Sequence, residues 1–154
     1  MGLDTQRRFH IEPSFDLDEF LARPLVAHVA TNGPAVRPVW YIWEEGAFWW
    51  LTGPWSRLEA LLREDDRVAL VVDVNDVETG EVLKVSARGR ASVVGFDADR
   101  ARRKLARYLG PDESKWDRSR FVMGTFETPG VKFVRFEPES LSAKRLSYQV
   151  SGAP

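Results

Sequence analysis

From Leu25 to Val94 the chain is cut into short extended runs by turn residues, and this punctuation limits the possible folds more than any other feature. Leu25 to Thr31, carrying Val26 and Val29, ends at Asn32-Gly33-Pro34, and Ala35 to Trp43 ends at Glu44-Glu45-Gly46. Ala47 to Thr52 follows, rich in the aromatic side chains that suit a pleated, half-buried surface. Such runs are too short for ordinary helices and read as strands joined by tight turns, so the first three predict an antiparallel meander. Further on, Arg67 to Val74 contains Val68-Ala69-Leu70-Val71-Val72, as expected of a strand covered on both faces, and Val82 to Val94 is a longer strand beyond the turn at Asn75 to Gly80. Val131 to Phe136 alternates and is expected to return and close the sheet.

Three helices punctuate these strands. Ser14 is placed to cap a short one, with Phe15, Phe20 and Leu21 for the core and Pro24 as its stop. Ser56-Arg57-Leu58-Glu59 has the Ser-x-x-Glu capping pattern, and Leu58, Leu61 and Leu62 share one face behind it. Asp97 to Leu109 is a basic helix with Ala101, Leu105 and Tyr108 as its apolar stripe, ended by Gly110-Pro111. This order implies a closed or nearly closed antiparallel barrel with helices at its openings. A chain of 154 residues accommodates it as one domain with one sizeable core.

Composition removes several function classes. The 22 basic and 23 acidic side chains nearly cancel, so no global field favours a nucleic acid or an anionic membrane. The absence of cysteine excludes disulfides, thiolate metal sites and a thiol nucleophile, and the two histidines, His10 and His28, lack the spacing of a metal pair. No phosphate-binding Gly-rich loop, nucleophile elbow or His-Glu-x-x-His motif is present. The close carboxylates at Asp65-Asp66 and Asp73 to Asp76 fall at turns, where Asp bonds its own backbone. Met1 to Phe9 carries Arg7 and Arg8 and no apolar stretch, and the expectation is a soluble cytoplasmic protein without metal, nucleic-acid partner or membrane association.

The segment Arg37 to Arg67 is the informative one. It reads strand, turn, strand ending at Thr52, then Ser56-Arg57 opening a helix. Two hydroxyls and a guanidinium beside a helix start can hold an anion, while Ser56 and Glu59 can equally serve only as caps. Five of the six tryptophans, Trp40, Trp43, Trp49, Trp50 and Trp55, fall in or just after these strands. Trp49 and Trp50, being adjacent, must face opposite sides. Trp40 and Trp55 are the candidates for a ligand wall, with the others and Trp116 assigned to packing or an interface.

Arg37-Pro38-Val39-Trp40, then Thr52, then Ser56-Arg57, and Arg67-Val68 ten residues after Arg57 resembles the pyridoxamine 5′-phosphate oxidase-like flavin-binding split-barrel superfamily over about Leu25 to Val94. The resemblance implies a mainly β fold with flanking helices, a split β-barrel of six or so antiparallel strands with Greek-key-like closure. It further implies FMN, or the deazaflavin coenzyme F-420, between the subunits of a homodimer, and hydride transfer with a small unsaturated or aromatic substrate. A non-catalytic flavin or tetrapyrrole carrier is the alternative. Carried over by position, the cofactor contacts are Arg37, Pro38, Val39, Trp40, Leu51, Thr52, Ser56, Arg57 and Lys84. No catalytic acid or base is implied. Leu58 replaces the lysine that usually follows Ser-Arg, which leaves Arg57 as the main phosphate cation. Ile42 replaces the lysine that holds the vitamer phosphate in true pyridoxamine phosphate oxidases, which argues against that substrate.

Overall fold

The computed structural model describes residues 7–121 and 129–152. Eight strands form one curled sheet: β1 (Arg8–Ile11), β2 (Val26–Thr31), β3 (Ala35–Trp40), β4 (Ile42–Glu44), β5 (Ala47–Thr52), β6 (Arg67–Asp76), β7 (Glu81–Val94) and β8 (Lys132–Arg145). Their order is β3-β2-β6-β7-β8-β5-β4, with β1 pairing β8 in parallel at the side. The helices are α1 (Leu17–Ala22), α2 (Leu58–Glu64) and α3 (Ala98–Leu109). This is a mainly β split barrel with flanking helices.

Local chemistry accounts for most of these boundaries. Glu45 and Gly46 both have positive φ, 57° and 68°, which gives the two-residue hairpin between Glu44 and Ala47 the twist that its strands need. Asp97 caps α3 by accepting from the Arg100 N–H at 3.1 Å, and Gly110 ends it at φ 94°. Other expectations are corrected. Asp16, not Ser14, caps α1, because its carboxylate reaches the Glu19 N–H. β8 continues well past Phe136 to Arg145, and its second half pairs with β7 and β1.

The larger correction concerns the meander. Ala35 to Trp43 is two strands broken at Tyr41, and β3 pairs only with β2 whereas β4 pairs with β5. Since β3 and β4 are the two ends of the sheet, the barrel is joined there by the chain itself rather than by a ladder. The cause is visible at Tyr41. Its N–H donates to the Tyr108 hydroxyl at 3.0 Å, and its carbonyl accepts from Arg107 Nη1 at 2.7 Å. Side chains of α3 thus take the main-chain bonds that would otherwise continue the β4–β5 ladder.

Two apolar layers flank the sheet. Inside, Val29, Phe48, Trp50, Leu70, Val85, Val134 and Phe136 pack with Phe20 and Leu21 of α1 and Leu58 and Leu62 of α2. Outside, Ala101 and Leu105 of α3 cover Ile42, Trp49 and Phe133, with Trp116 closing the layer. Trp49 and Trp50 therefore face opposite sides, as pleating requires. Arg100 fixes α3 to the β4–β5 hairpin, bonding Glu44 at 2.6 Å while lying 3.5 Å from the Trp49 ring centroid. Desolvation acts to raise the Glu44 carboxyl pKa but is outweighed by hydrogen bonds from Arg103 and Arg100, so it lies below the usual range. Among the described residues no helix is long and apolar enough to cross a membrane.

Candidate functional site

The break at Tyr41 opens a wedge. β4 pairs with β5 from Ala47 to Trp49, so a strand running straight back from Ile42 would have met Trp50, Leu51 and Thr52. The chain swings away to β2 instead, and a groove of about 510 Å³ lies between the free edge of β3 and the uncovered end of β5. That is an ordinary size for a small-molecule or cofactor site. An edge strand turns half of its main-chain N–H and C=O groups away from its one partner, here along Arg37 to Trp40, although Pro38 offers no donor.

At one end, Arg37 Nη1 donates to Ser56 Oγ at 3.4 Å, and the same oxygen accepts from the Leu58 N–H at 3.1 Å. The capping box predicted for Ser56 and Glu59 does not form. The helix starts at Leu58 with Arg57 at the cap position, and the Glu59 carboxylate bonds Lys132 at 2.8 Å and pairs with Arg63 at 3.5 Å. The Glu59 carboxylate is thereby turned to the flank of α2, and Ser56 and Arg57 keep the groove side. The Lys132 hydrogen bond is also what most lowers the pKa of that carboxyl. Arg37 Nε is buried with no hydrogen-bond partner among the described residues. An unpaired buried donor costs about 1–3 kcal/mol, so this one marks a place where a ligand acceptor would be stabilising.

Aromatic rings build the walls. Trp40 stacks on Tyr108 at 4.5 Å with an interplanar angle of 2°, and Phe121 lies 5.9 Å away on the Trp40 ring. Trp50 lines the floor, and Trp55, 64 % exposed, stands at the rim. Tyr108 is itself fixed, since its hydroxyl donates to the Leu25 carbonyl at 2.7 Å while accepting from Tyr41.

Lys104 of α3 also lines the groove, although only 5 % of it is exposed. Among the described residues no carboxylate pairs with it, and burial, with Arg107 adding repulsion, lowers its pKa from 10.5 to about 8. Among the described residues the groove lining therefore holds three cations, Arg37, Arg57 and Lys104, three tryptophans and no carboxylate.

Of the nine residues expected to contact a cofactor, the structure gathers Arg37, Pro38, Val39, Trp40, Leu51, Ser56 and Arg57 on this groove. Thr52 is not on its surface. It points to the inner face, as Phe48 and Trp50 do, and is 1 % exposed, with its hydroxyl unpartnered among the described residues. Lys84 lies elsewhere, opposite Asp73 and Lys144 on the outer face, because Leu83 and Val85 on either side of it point into the core. Sequence reasoning missed Lys104, although a signal was present: with Ala101, Leu105 and Tyr108 it occupies the i, i+3, i+4, i+7 stripe, where a lysine must either snorkel out or be held for a purpose.

The protein-family profile described as pyridoxamine 5′-phosphate oxidase matches residues 14–145. No curated protein matches the chain in sequence at a significant level. Among solved structures, a conserved hypothetical protein from Mycobacterium tuberculosis is similar with a TM-score of 0.69 and 20% identity, over 89% of this chain and 90% of that one. A FAD-binding protein from Mesorhizobium loti aligns with a TM-score of 0.57 and 17% identity over 84% and 93% of the two chains. An F420 reductase aligns with a TM-score of 0.56 and 21% identity over 81% and 94%.

Proposed function

The chain belongs to the pyridoxamine 5′-phosphate oxidase family, and from that premise we propose that the wedge between β3 and β5 holds a flavin-type cofactor, FMN or the deazaflavin F-420. On this reading the protein is an oxidoreductase that moves a hydride to or from a small unsaturated or aromatic substrate. The observation that carries it is the groove lining, which among the described residues has three cations, three tryptophans and no carboxylate. A ligand complementary to such a surface brings negative charge on a flat, largely apolar body.

The residues present fit that group. Arg37, Arg57 and Ser56 hold its phosphate, and the unpaired Nε of Arg37 is a donor still to be satisfied. The free edge of β3 from Arg37 to Trp40 supplies main-chain groups along the ring, with Leu51 packing from β5. Bound there, the cofactor supplies two-electron hydride chemistry. The chain contributes position and exclusion of water: Trp40 is held by Tyr108, and Tyr108 by Leu25 and Tyr41. Among the described residues the groove lining contains no His, Asp or Glu, and on this reading protons exchange with water. Ile42 is packed with Trp49 and Leu105 under α3, which supports setting the vitamer substrate aside.

We further propose a homodimer through the outer sheet face, where Ala69, Val71, Ser86, Ser140 and Ser142 line a concavity that Arg8, His10 and Arg88 also border. Lys84, on that outer face, would then reach a cofactor only in a second copy's groove.

The test is spectroscopic. The purified protein is scanned for a bound chromophore, then titrated with FMN and with F-420 by fluorescence, and its mass in solution is measured. A dissociation constant below about 100 μM for either cofactor is expected, and binding of neither would remove the reading. Turnover with enones or quinones then separates an enzyme from a carrier.

A further inference from the structure

Lys104 does not belong to the phosphate end of the groove. Arg37 bonds Ser56 near the start of β3, whereas Lys104 lies one helical turn before Tyr108, the residue that stacks on Trp40 three positions further along the strand. Three strand residues span about 10 Å. At that second place the structure buries a lysine on a groove that Trp40, Trp50 and Leu51 also line, and among the described residues no carboxylate pairs with it. An uncompensated buried cation is costly, and it is retained where a ligand supplies the missing charge.

We propose that Lys104 is a second anion-recognition point of the groove, and that the natural ligand is a planar molecule acidic at both ends. A phosphate meets Arg37 and Arg57, and an ionisable ring imide or carboxylate meets Lys104. This rests on the cofactor reading above and adds to it which end of the ring carries the charge. It also makes the site selective for the reduced state of a flavin-type ring, because two-electron reduction places negative charge on the imide side at neutral pH.

The groups facing Lys104 agree with this. Arg37 and Arg57 share its groove, and Arg107 and Tyr108 lie on its own helix. Arg100, one turn earlier, is committed to Glu44. Among the described residues the groove's unpaired charge is positive, so a bound anion raises the lysine pKa and is held less tightly once the free amine loses its proton.

The experiment uses the full chain with FMN as the probe in both oxidation states, by spectroelectrochemical titration. Lys104→Met is expected to lower the ratio of reduced to oxidised affinity about tenfold, equal to a potential lower by about 30 mV for the two-electron couple. Lys104→Arg, which keeps the charge, retains that ratio within about threefold. In the wild-type protein the affinity for reduced FMN falls as pH rises above about 8, the value set for the free lysine. This pH titration decides the matter if Lys104→Met does not fold. An unchanged affinity ratio in a folded Lys104→Met protein, or a wild-type affinity that is flat across that pH range, overturns the inference and leaves the cofactor reading standing. Failure of wild-type protein to bind FMN in either state overturns the inference, and failure to bind F-420 as well overturns the cofactor reading with it.

Discussion

Replacing Arg107 with Met tests how the split itself is held open. The guanidinium donates to four carbonyls: Leu21 at 2.9 Å, Ala22 at 3.1 Å, Arg23 at 2.6 Å and Tyr41 at 2.7 Å. Three of these close the C-terminal end of α1, where the last carbonyls have no intrahelical partner and a positive charge is favoured. The fourth holds the residue at which the sheet breaks. Methionine keeps most of the stem and removes every donor. Leu21 and Tyr41 are fully buried, so their carbonyls lose partners that water cannot easily replace, at about 1–2 kcal/mol each. Ala22 and Arg23 can rehydrate, and loss of the helix-end charge adds about 0.5 kcal/mol. The expected loss is about 3 kcal/mol. With a urea m value of about 2 kcal/mol/M, the denaturation midpoint falls by about 1.5 M. Arg107→Lys keeps the charge but replaces the planar fork with one ammonium, and recovers less than half of the loss. A Met variant destabilised by under about 1 kcal/mol, or a Lys variant with wild-type stability, would refute the assignment of these four bonds as the device that ties Tyr41 to the end of α1.

Three more outcomes are expected. Arg57→Ala weakens a phosphate-bearing cofactor by about 1.5–3 kcal/mol in an equilibrium titration, and an unchanged curve would make Arg57 a surface residue only. Lys104 contributes a pH dependence in the unliganded protein: its folded pKa, about 8, lies below the ordinary lysine value of 10.5, so the unfolded chain binds more protons between these values and stability rises with pH across that window. Accordingly Lys104→Met should be more stable than wild type at pH 7, by up to about 3 kcal/mol, with the advantage vanishing above the window in urea melts. Tyr108→Phe leaves the Tyr41 N–H and Leu25 carbonyl without their shared partner, costs about 1–3 kcal/mol in stability, and weakens cofactor binding through the loosened Trp40.

How much of this was legible in the sequence can be read from particular elements. Turn chemistry is local, so the hairpin at Glu45-Gly46 and the end of α3 at Gly110 were readable from a few residues. Seven of the expected cofactor residues share the groove because they sit within a short stretch of chain whose strand, turn and helix are all locally coded. Ser56 misled in part: the capping pattern is present, but Glu59 is drawn away by Lys132, 73 positions distant. Lys84 could not be placed by its own strand pattern, since one outer-face position on β7 looks like another until the sheet is assembled.

What the sequence determined by itself was the three helices, most of the strands, though not β1 or the full length of β8, and the identity of the chain's most informative segment, because hydrophobic period and turn residues act over a few positions. What only the tertiary structure decided was the split. Nothing in Ala35 to Trp43 announces a break, and the break exists because Arg107 and Tyr108, 66 and 67 positions away, take the hydrogen bonds of Tyr41 from the ladder. Main-chain groups bond whatever partner packing brings near, and here that partner arrives on a helix that the sequence places far from the strand it divides.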